Sequence, residues 1–153
     1  MMCRFCEPRP EGDPIRQLLQ VLPQKLGGIV VHLPVANVLV MGDLLTMDGY
    51  PVVGGTLRGM IEAIEGLMPL MNESTKIIPG RGDITDRDGV CWFLEMMRTC
   101  EARILHLWRA NANAPEILDA RPTWDFDACW GHGDVTGRHF TKMILAGLGA
   151  LPS

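Results

Sequence analysis

One stretch of the chain, Asn37-Val38-Leu39-Val40-Met41-Gly42-Asp43-Leu44-Leu45, decides how the rest is interpreted. Its apolar run, with β-branched residues among it, predicts a buried β-strand. Gly42 then allows the backbone to turn or to pack closely against a neighbour. Asp43 follows at the predicted strand end, where burying its carboxylate is costly unless a cationic or hydrogen-bonding group meets it. A metal ion, an arginine or backbone amides could each fill that role.

The composition is that of an ordinary globular chain. Of 153 residues, 47% are hydrophobic and 21% are charged, so we expect one domain over residues 13–153, preceded by a flexible, proline-containing tail at 1–12. The net charge of −4 gives no basis for a nucleic-acid-binding surface. No window reaches the roughly 18 apolar residues of a membrane span, and the N-terminus lacks the apolar segment of a signal peptide. These features predict a cytoplasmic protein that binds neither nucleic acid nor a membrane.

In the first third of the domain, the sequence pattern predicts a helix and a hairpin. Asp13-Pro14 resembles a helix start, and the apolar spacing from Ile15 to Leu22 predicts a short amphipathic helix. Two apolar runs, Ile29 to Leu33 and Val38 to Met41, follow at the spacing of a β-hairpin.

The remainder predicts helices around one more strand. Thr56 is placed to cap a helix, and the run from Thr75 to Ile78 predicts a strand. A capping box at Thr85 is expected to start a long helix that ends near Ala110. An aromatic connector is expected to pack against the domain before a last helix; its residues are Trp124, Phe126 and Trp130. This set of predicted helices and strands indicates a mixed α/β fold whose sheet is incomplete or is completed by another chain.

The order and spacing of these units resemble the C-terminal half of the metallo-β-lactamase fold. A strand ending in Gly-Asp is followed about forty residues later by strand-Pro-Gly-x-Gly and a long helix. The matching stretches are Val30 to Asp43, Gly54-Gly55-Thr56-Leu57-Arg58-Gly59-Met60, Thr75-Lys76-Ile77-Ile78-Pro79-Gly80-Arg81-Gly82 and the tail Ala120 to Gly131. The resemblance implies half of an αββα sandwich, with a mixed sheet packed by helices.

Members of that superfamily hydrolyse esters, amides and similar bonds with water activated by a divalent metal pair, usually zinc. The resemblance places Asp43 at the Gly-Asp position, where it would ligate the metal. The upstream His-x-His-x-Asp-His loop is absent, because residues 1–28 contain no histidine. Arg81 stands where a ligand histidine usually lies in the Pro-Gly-x-Gly loop. One carboxylate does not make a zinc site, which needs three or four protein ligands.

Arginine stays protonated and cannot ligate a metal, but it pairs well with carboxylates. If the resemblance holds, Asp43 and Arg81 end neighbouring strands at the same sheet edge, so we expect an Asp43–Arg81 ion pair in part of the metal's place. A second interpretation is an anion site, in which Gly80 and Gly82 let backbone amides approach a ligand that Arg81 also contacts.

Other candidates have ordinary explanations that we favour. Cys3 and Cys6 form a Cys-x-x-Cys pair, but no second pair makes a zinc site, and the five cysteines are expected to be free thiols. His32 lies in an apolar strand and is expected to pack there or to face solvent, not to bind a metal. A weak metal-ligand cluster could form from His132, Asp134 and His139, but we favour the interpretation that they lie in a polar surface loop.

Two functions from different classes remain. The first is a metal-dependent hydrolase of the metallo-β-lactamase superfamily, truncated or degenerate in its metal site. The second is a non-catalytic half-domain that pairs with itself as a homodimer, or with a missing N-terminal half, to cover its exposed core. The methionine-rich helix stripes and the small number of predicted strands favour the second.

Overall fold

The computed structural model describes residues 17–21 and 28–149 and has mixed α/β architecture. Its elements follow in chain order: β1 (Gln17–Val21), β2 (Gly28–Leu33), β3 (Val38–Thr46), α1 (Leu57–Leu67), a 3-10 turn (Met68–Leu70), β4 (Lys76–Arg81), α2 (Arg87–Arg109), α3 (Ala114–Asp119), α4 (Asp127–Trp130) and α5 (Gly137–Gly147). The strands form one sheet in the order β1-β2-β3-β4.

The predicted hairpin is confirmed. β2 and β3 pair antiparallel, and the turn between them ends at Asn37, whose φ of 52° is a conformation that asparagine tolerates. The Asn37 Oδ1 accepts a 2.8 Å hydrogen bond from the Thr75 hydroxyl, and its carbonyl oxygen accepts one of 3.0 Å from the Lys76 amide. The turn is thereby tied to the start of β4, which runs parallel to β3.

The helix predicted from Ile15 to Leu22 is wrong in its described part. Residues Gln17–Val21 form β1, which pairs antiparallel with β2. A short apolar run fits a helix and a strand about equally well, and here the ladder with β2 satisfies the backbone. The tail predicted at 1–12 and the cap predicted at Asp13-Pro14 lie outside the described residues.

β3 does not end at Gly42-Asp43 as predicted but continues to Thr46. Gly42 has a φ of 51°, and the β3–β4 register shifts on both sides of it, which marks a bulge. Leu39 and Met41 are buried, so plain alternation would bury Asp43 next. The bulge reverses the alternation instead: Asp43 is exposed and Leu44 is buried.

The two long helices form as predicted, with one change in capping. Thr56 caps α1 by accepting from the Gly59 amide at 3.1 Å, and the apolar stripe of α1 is buried. α2 is capped by Asp86 and not by Thr85. The Thr85 backbone exchanges two 2.9 Å hydrogen bonds with Ile77 beside β4, so the helix can begin only after it.

The aromatic connector is only partly buried. Trp130 is fully buried, and Phe126 packs at the edge of the core. Trp124, which was expected to pack against the domain, is 65% exposed, and Trp108 at the end of α2 is also exposed. The α2 stripe therefore stops contributing to the core near Leu107, which is only partly buried.

The core lies between one face of the sheet and the helices. Val30, Leu39, Met41 and Ile77 point into it and meet the buried faces of α1, α2 and α5. The opposite surface, which we call the open face, carries apolar side chains that are half-buried or exposed: Ile29, Val31, Leu33, Val38, Val40 and Ile78. Within the described ranges, none of these six belongs to the core cluster. The described chain is thus one helix layer on one sheet layer.

Candidate functional site

Three loops meet at the carboxyl ends of the parallel strands β3 and β4. The Met47 amide donates to the Arg81 carbonyl oxygen at 2.9 Å, and the Tyr50 amide donates to the Trp130 carbonyl oxygen at 2.9 Å. A Cβ added at Gly49 would lie 3.2 Å from the Gly133 Cα, so these two loops pass in direct backbone contact. Ligand sites in open α/β sheets favour this edge, which makes it the first place to examine.

Arg81 is the centre of the polar groups at this edge. Its Nη1 donates to Asp134 Oδ2 at 3.1 Å, and its Nε lies 4.0 Å from Asp48 Oδ1. The Thr46 hydroxyl donates to the same Asp48 oxygen at 2.6 Å. The three charged side chains are 43%, 48% and 91% exposed for Arg81, Asp48 and Asp134, so water screens both pairs. This arrangement orients the loops more than it stabilises the fold.

The predicted Asp43–Arg81 ion pair is wrong, because the two side chains make no contact within 4.0 Å. Arg81 is engaged by two other carboxylates, and the bulge at Gly42 turns Asp43 to the surface. The expectation placed both residues at strand ends, whereas β3 runs three residues beyond Asp43. Asp43 as a metal ligand stays a prediction.

Gly80 and Gly82 are required by packing. A Cβ at Gly80 would come within 2.8 Å of the Gly42 carbonyl group, and one at Gly82 within 2.9 Å of the Met47 and Asp48 backbone. Gly82 also has a φ of 88°, which side chains rarely adopt. Close approach of Gly80 to the bulged β3, and of Gly82 to the loop after β3, explains both glycines without a bound anion.

The histidines fall at separate places. His132 contacts the Ala128 carbonyl oxygen through its ring, and Asp134 is held by Arg81, so the predicted weak cluster with His139 is not assembled around one point. His32 is half-buried on β2. Among residues 17–21 and 28–149, no group of three or more potential metal-ligating side chains is found together. Cys3 and Cys6 lie outside these ranges.

The sequence reasoning missed a second polar cluster, built around Tyr50. This fully buried tyrosine donates from its hydroxyl to Asp127 Oδ1 at 2.9 Å, and the Thr123 carbonyl oxygen lies 3.2 Å from the same hydroxyl. Burial, and then the hydrogen bond to Asp127, raise the pKa of Tyr50 far above its ordinary value. The phenol therefore stays protonated and acts as a hydrogen-bond donor. A lone tyrosine after a turn sequence gives no signal of this role.

Asp127 also borders a cleft of about 320 Å³ between α3, α4 and the start of α5. Arg121 donates to Asp127 Oδ2 at 3.4 Å, and Arg138 lies 3.6 Å from Asp119, so both arginines are partnered by carboxylates. These carboxylates offset the positive charges of the two arginines, so the cleft has no unpaired arginine with which to bind an anionic ligand. We interpret the cleft as a polar seam between short helices.

Two ionisable groups on α2 are buried. Burial raises the pKa of the Cys100 thiol to about 12, which makes it a poor nucleophile. Glu101 is 5% exposed and pairs with Arg58 of α1. Its pKa is raised by burial, although Arg58 opposes the shift. Cys100 belongs to the hydrophobic core, and Glu101 joins α2 to α1 through its pair with Arg58.

Comparison with known proteins returned no family: no protein-family model matches the chain, and no curated protein matches it. No helix in the described part of the chain is both long and apolar enough to cross a membrane.

Proposed function

We propose that this chain is a non-catalytic half-domain of metallo-β-lactamase type that binds a protein partner through the open face of its sheet. The observation that carries the proposal is the apolar character of that face. Six aliphatic side chains stand on it, outside the core that joins the sheet to the helices. Ile29 is 55% exposed and the other five are half-buried. Contiguous apolar surface that the core leaves uncovered is typical of interaction sites.

The resemblance supports the same conclusion. An αββα sandwich has two sheets face to face with helices outside, whereas the described chain is one helix layer on one sheet. The surface that a second sheet would cover in such a sandwich corresponds to the open face. Binding there would remove apolar surface from water, which stabilises a complex by roughly 25 cal/mol for each Å² buried. A cytoplasmic location is part of this proposal.

A metal-dependent hydrolase is the second candidate function. The observation that favours it is the exposure of Asp43 at the rim of the open face, where a docked partner could add zinc ligands to its carboxylate. Zinc measured per chain after purification without chelator separates the two candidates. We expect less than stoichiometric zinc. Stoichiometric zinc that is lost on Asp43→Ala would overturn the non-catalytic proposal.

A matched pair of substitutions tests the binding face. Leu39 and Val40 are neighbours on β3 that point to opposite sides: Leu39 is fully buried, and Val40 is half-buried on the open face. We expect Val40→Glu to fold with a circular-dichroism spectrum like that of the unmodified chain, and Leu39→Glu to unfold, because it buries an unpaired charge. Equal loss of structure in both variants would show that the open face is covered within the chain, and the proposal would fail.

A further inference from the structure

We infer that the partner seated on the open face is a second copy of this chain, related by a two-fold axis that runs across the strands along the row Val31–Val40–Ile78. This inference rests on the proposed binding function of the face. It adds the identity of the partner and the way the two sheets are aligned.

The residues of the open face are arranged in rows across the strands. Val31 is opposite Val40, and Val40 is opposite Ile78, which gives a central row of three aliphatic side chains. Leu33, Val38 and Lys76 make the next row toward the start of β3. Ile29 and Asp43 make the row on the other side. A Cβ at Gly42 would lie 3.7 Å from the Ile29 oxygen, which places that end of β2 beside the bulge.

The bulge places the two outer rows at equal distances from the central row. Gly42 pairs with Pro79, so the extra residue in β3 brings Asp43 beside Gly80, two positions after Ile78. Lys76 is two positions before Ile78 on the same strand. An acidic and a basic side chain, both exposed, therefore lie at matching distances on opposite sides of the central row.

A two-fold axis along the central row uses this pattern. It places one outer row of each copy on the opposite outer row of the other, because two-fold contacts are reciprocal. Each strand then stacks on its own copy, so Lys76 of one chain lies over Gly80 of the other, beside Asp43 on the neighbouring strand. This Lys76–Asp43 pairing occurs twice, and Ile29 faces Leu33. Gly80 beside Asp43 carries no side chain and leaves room for the lysine. The central valines and isoleucine pack on their own copies at the usual sheet separation of about 10 Å.

An axis parallel to the strands leaves each outer row facing its own copy. Asp43 would then lie near Asp43 and Lys76 near Lys76, and like charges would repel at the interface. Charge complementarity selects the axis across the strands. It also gives the interface an ionic contribution that added salt should weaken.

Sedimentation equilibrium on the full chain tests the inference, with the expected mass being twice the 16.9 kDa of one chain. Asp43→Lys and Lys76→Asp should each weaken the dimer, raising its Kd roughly tenfold or more because two pairs change from attraction to repulsion. The double variant Asp43→Lys/Lys76→Asp should return the Kd to near its original value. Glu73→Lys, an exposed charge change in the loop before β4, is the control and should leave the Kd unchanged.

The outcomes separate this inference from the function on which it rests. A chain that stays monomeric up to about 1 mM, while Val40→Glu still folds, would overturn the two-fold dimer and leave the binding face intact. A dimer that survives both single swaps, or that the double swap does not restore, would overturn the Asp43–Lys76 alignment. Folding failure of Val40→Glu would instead remove the proposed function itself.

Discussion

Arg81 Nη1 lies 3.1 Å from Asp134 Oδ2, and this contact joins the end of β4 to a loop 53 residues further along the chain. Asp48, in the loop after β3, is the second carboxylate near the guanidinium, at 4.0 Å. Three chain segments therefore share one cation at the carboxyl edge of the parallel strands. Arg81 therefore connects loops at this edge.

Loss of the Arg81 contacts should have a small effect on stability. Arg81→Met is expected to lower the free energy of unfolding by less than about 1 kcal/mol, because both ion pairs are exposed. Arg58→Met should cost more, roughly 1–3 kcal/mol, because it leaves the buried Glu101 without its partner. Urea unfolding of the two variants gives the comparison. A larger loss for Arg81→Met would mean that its loops are coupled to the core.

Gly137 at the start of α5 should not tolerate a methyl group. A Cβ there would overlap Asp127 Oδ1 and the Thr123 hydroxyl oxygen, next to the Tyr50 hydrogen bond. Gly137→Ala is expected to destabilise the protein by about 1–3 kcal/mol. Gly66→Ala in α1 is the control, since no heavy atom lies within 4 Å of its added Cβ, and it should stabilise by about 0.5–1 kcal/mol. Thermal unfolding distinguishes the two; equal effects would contradict the packing described for Asp127.

Glu101 should make the protein less stable as the pH rises. Its pKa is raised in the folded state, so the folded chain binds more protons than the unfolded chain between the two pKa values. The free energy of unfolding contributed by this group is therefore highest below the ordinary glutamate pKa and falls as pH rises through the folded value. Glu101→Gln should reduce this decline, and Glu95→Gln, an exposed position on the same helix, should not. The measurement is urea unfolding across a pH series.

The described cysteines should differ in reactivity. Cys100 is fully buried with a pKa of about 12, Cys91 is half-buried and Cys129 is exposed. Iodoacetamide at neutral pH should label Cys129 first and Cys100 only after unfolding, because the thiolate is the reacting form. Peptide mass spectrometry identifies the labelled thiol. Early labelling of Cys100 in the folded chain would contradict the burial of that face of α2.

Local patterns were enough to predict the long elements. The helical spacing of apolar residues and the Thr56 cap predicted α1. The apolar residues spaced from Val90 to Ile104 predicted α2. The two apolar runs around Asn37 predicted the hairpin. These features depend on neighbours within one or two turns, so sequence spacing carries them.

Short or ambiguous segments were decided by pairing. The run at Gln17–Val21 has apolar residues that suit a helix, yet the free edge of β2 accepts it as a strand. Thr85 has the sequence of a cap, yet its backbone is already bonded to Ile77. In both cases a partner distant in sequence supplied the hydrogen bonds, and no local propensity reports it.

The sequence by itself determined that Asp43 would stand in an apolar strand beside a glycine, and that Arg81 would follow Pro79-Gly80 at the end of a later strand. Only the tertiary structure decided where their side chains go. One residue inserted at Gly42 reversed the side to which Asp43 points, since strand side chains alternate with a period of two. Asp134 reached Arg81 because helices α2 to α5 fold back over the sheet. Both outcomes depend on register and long-range packing, which a residue's neighbours in sequence do not specify.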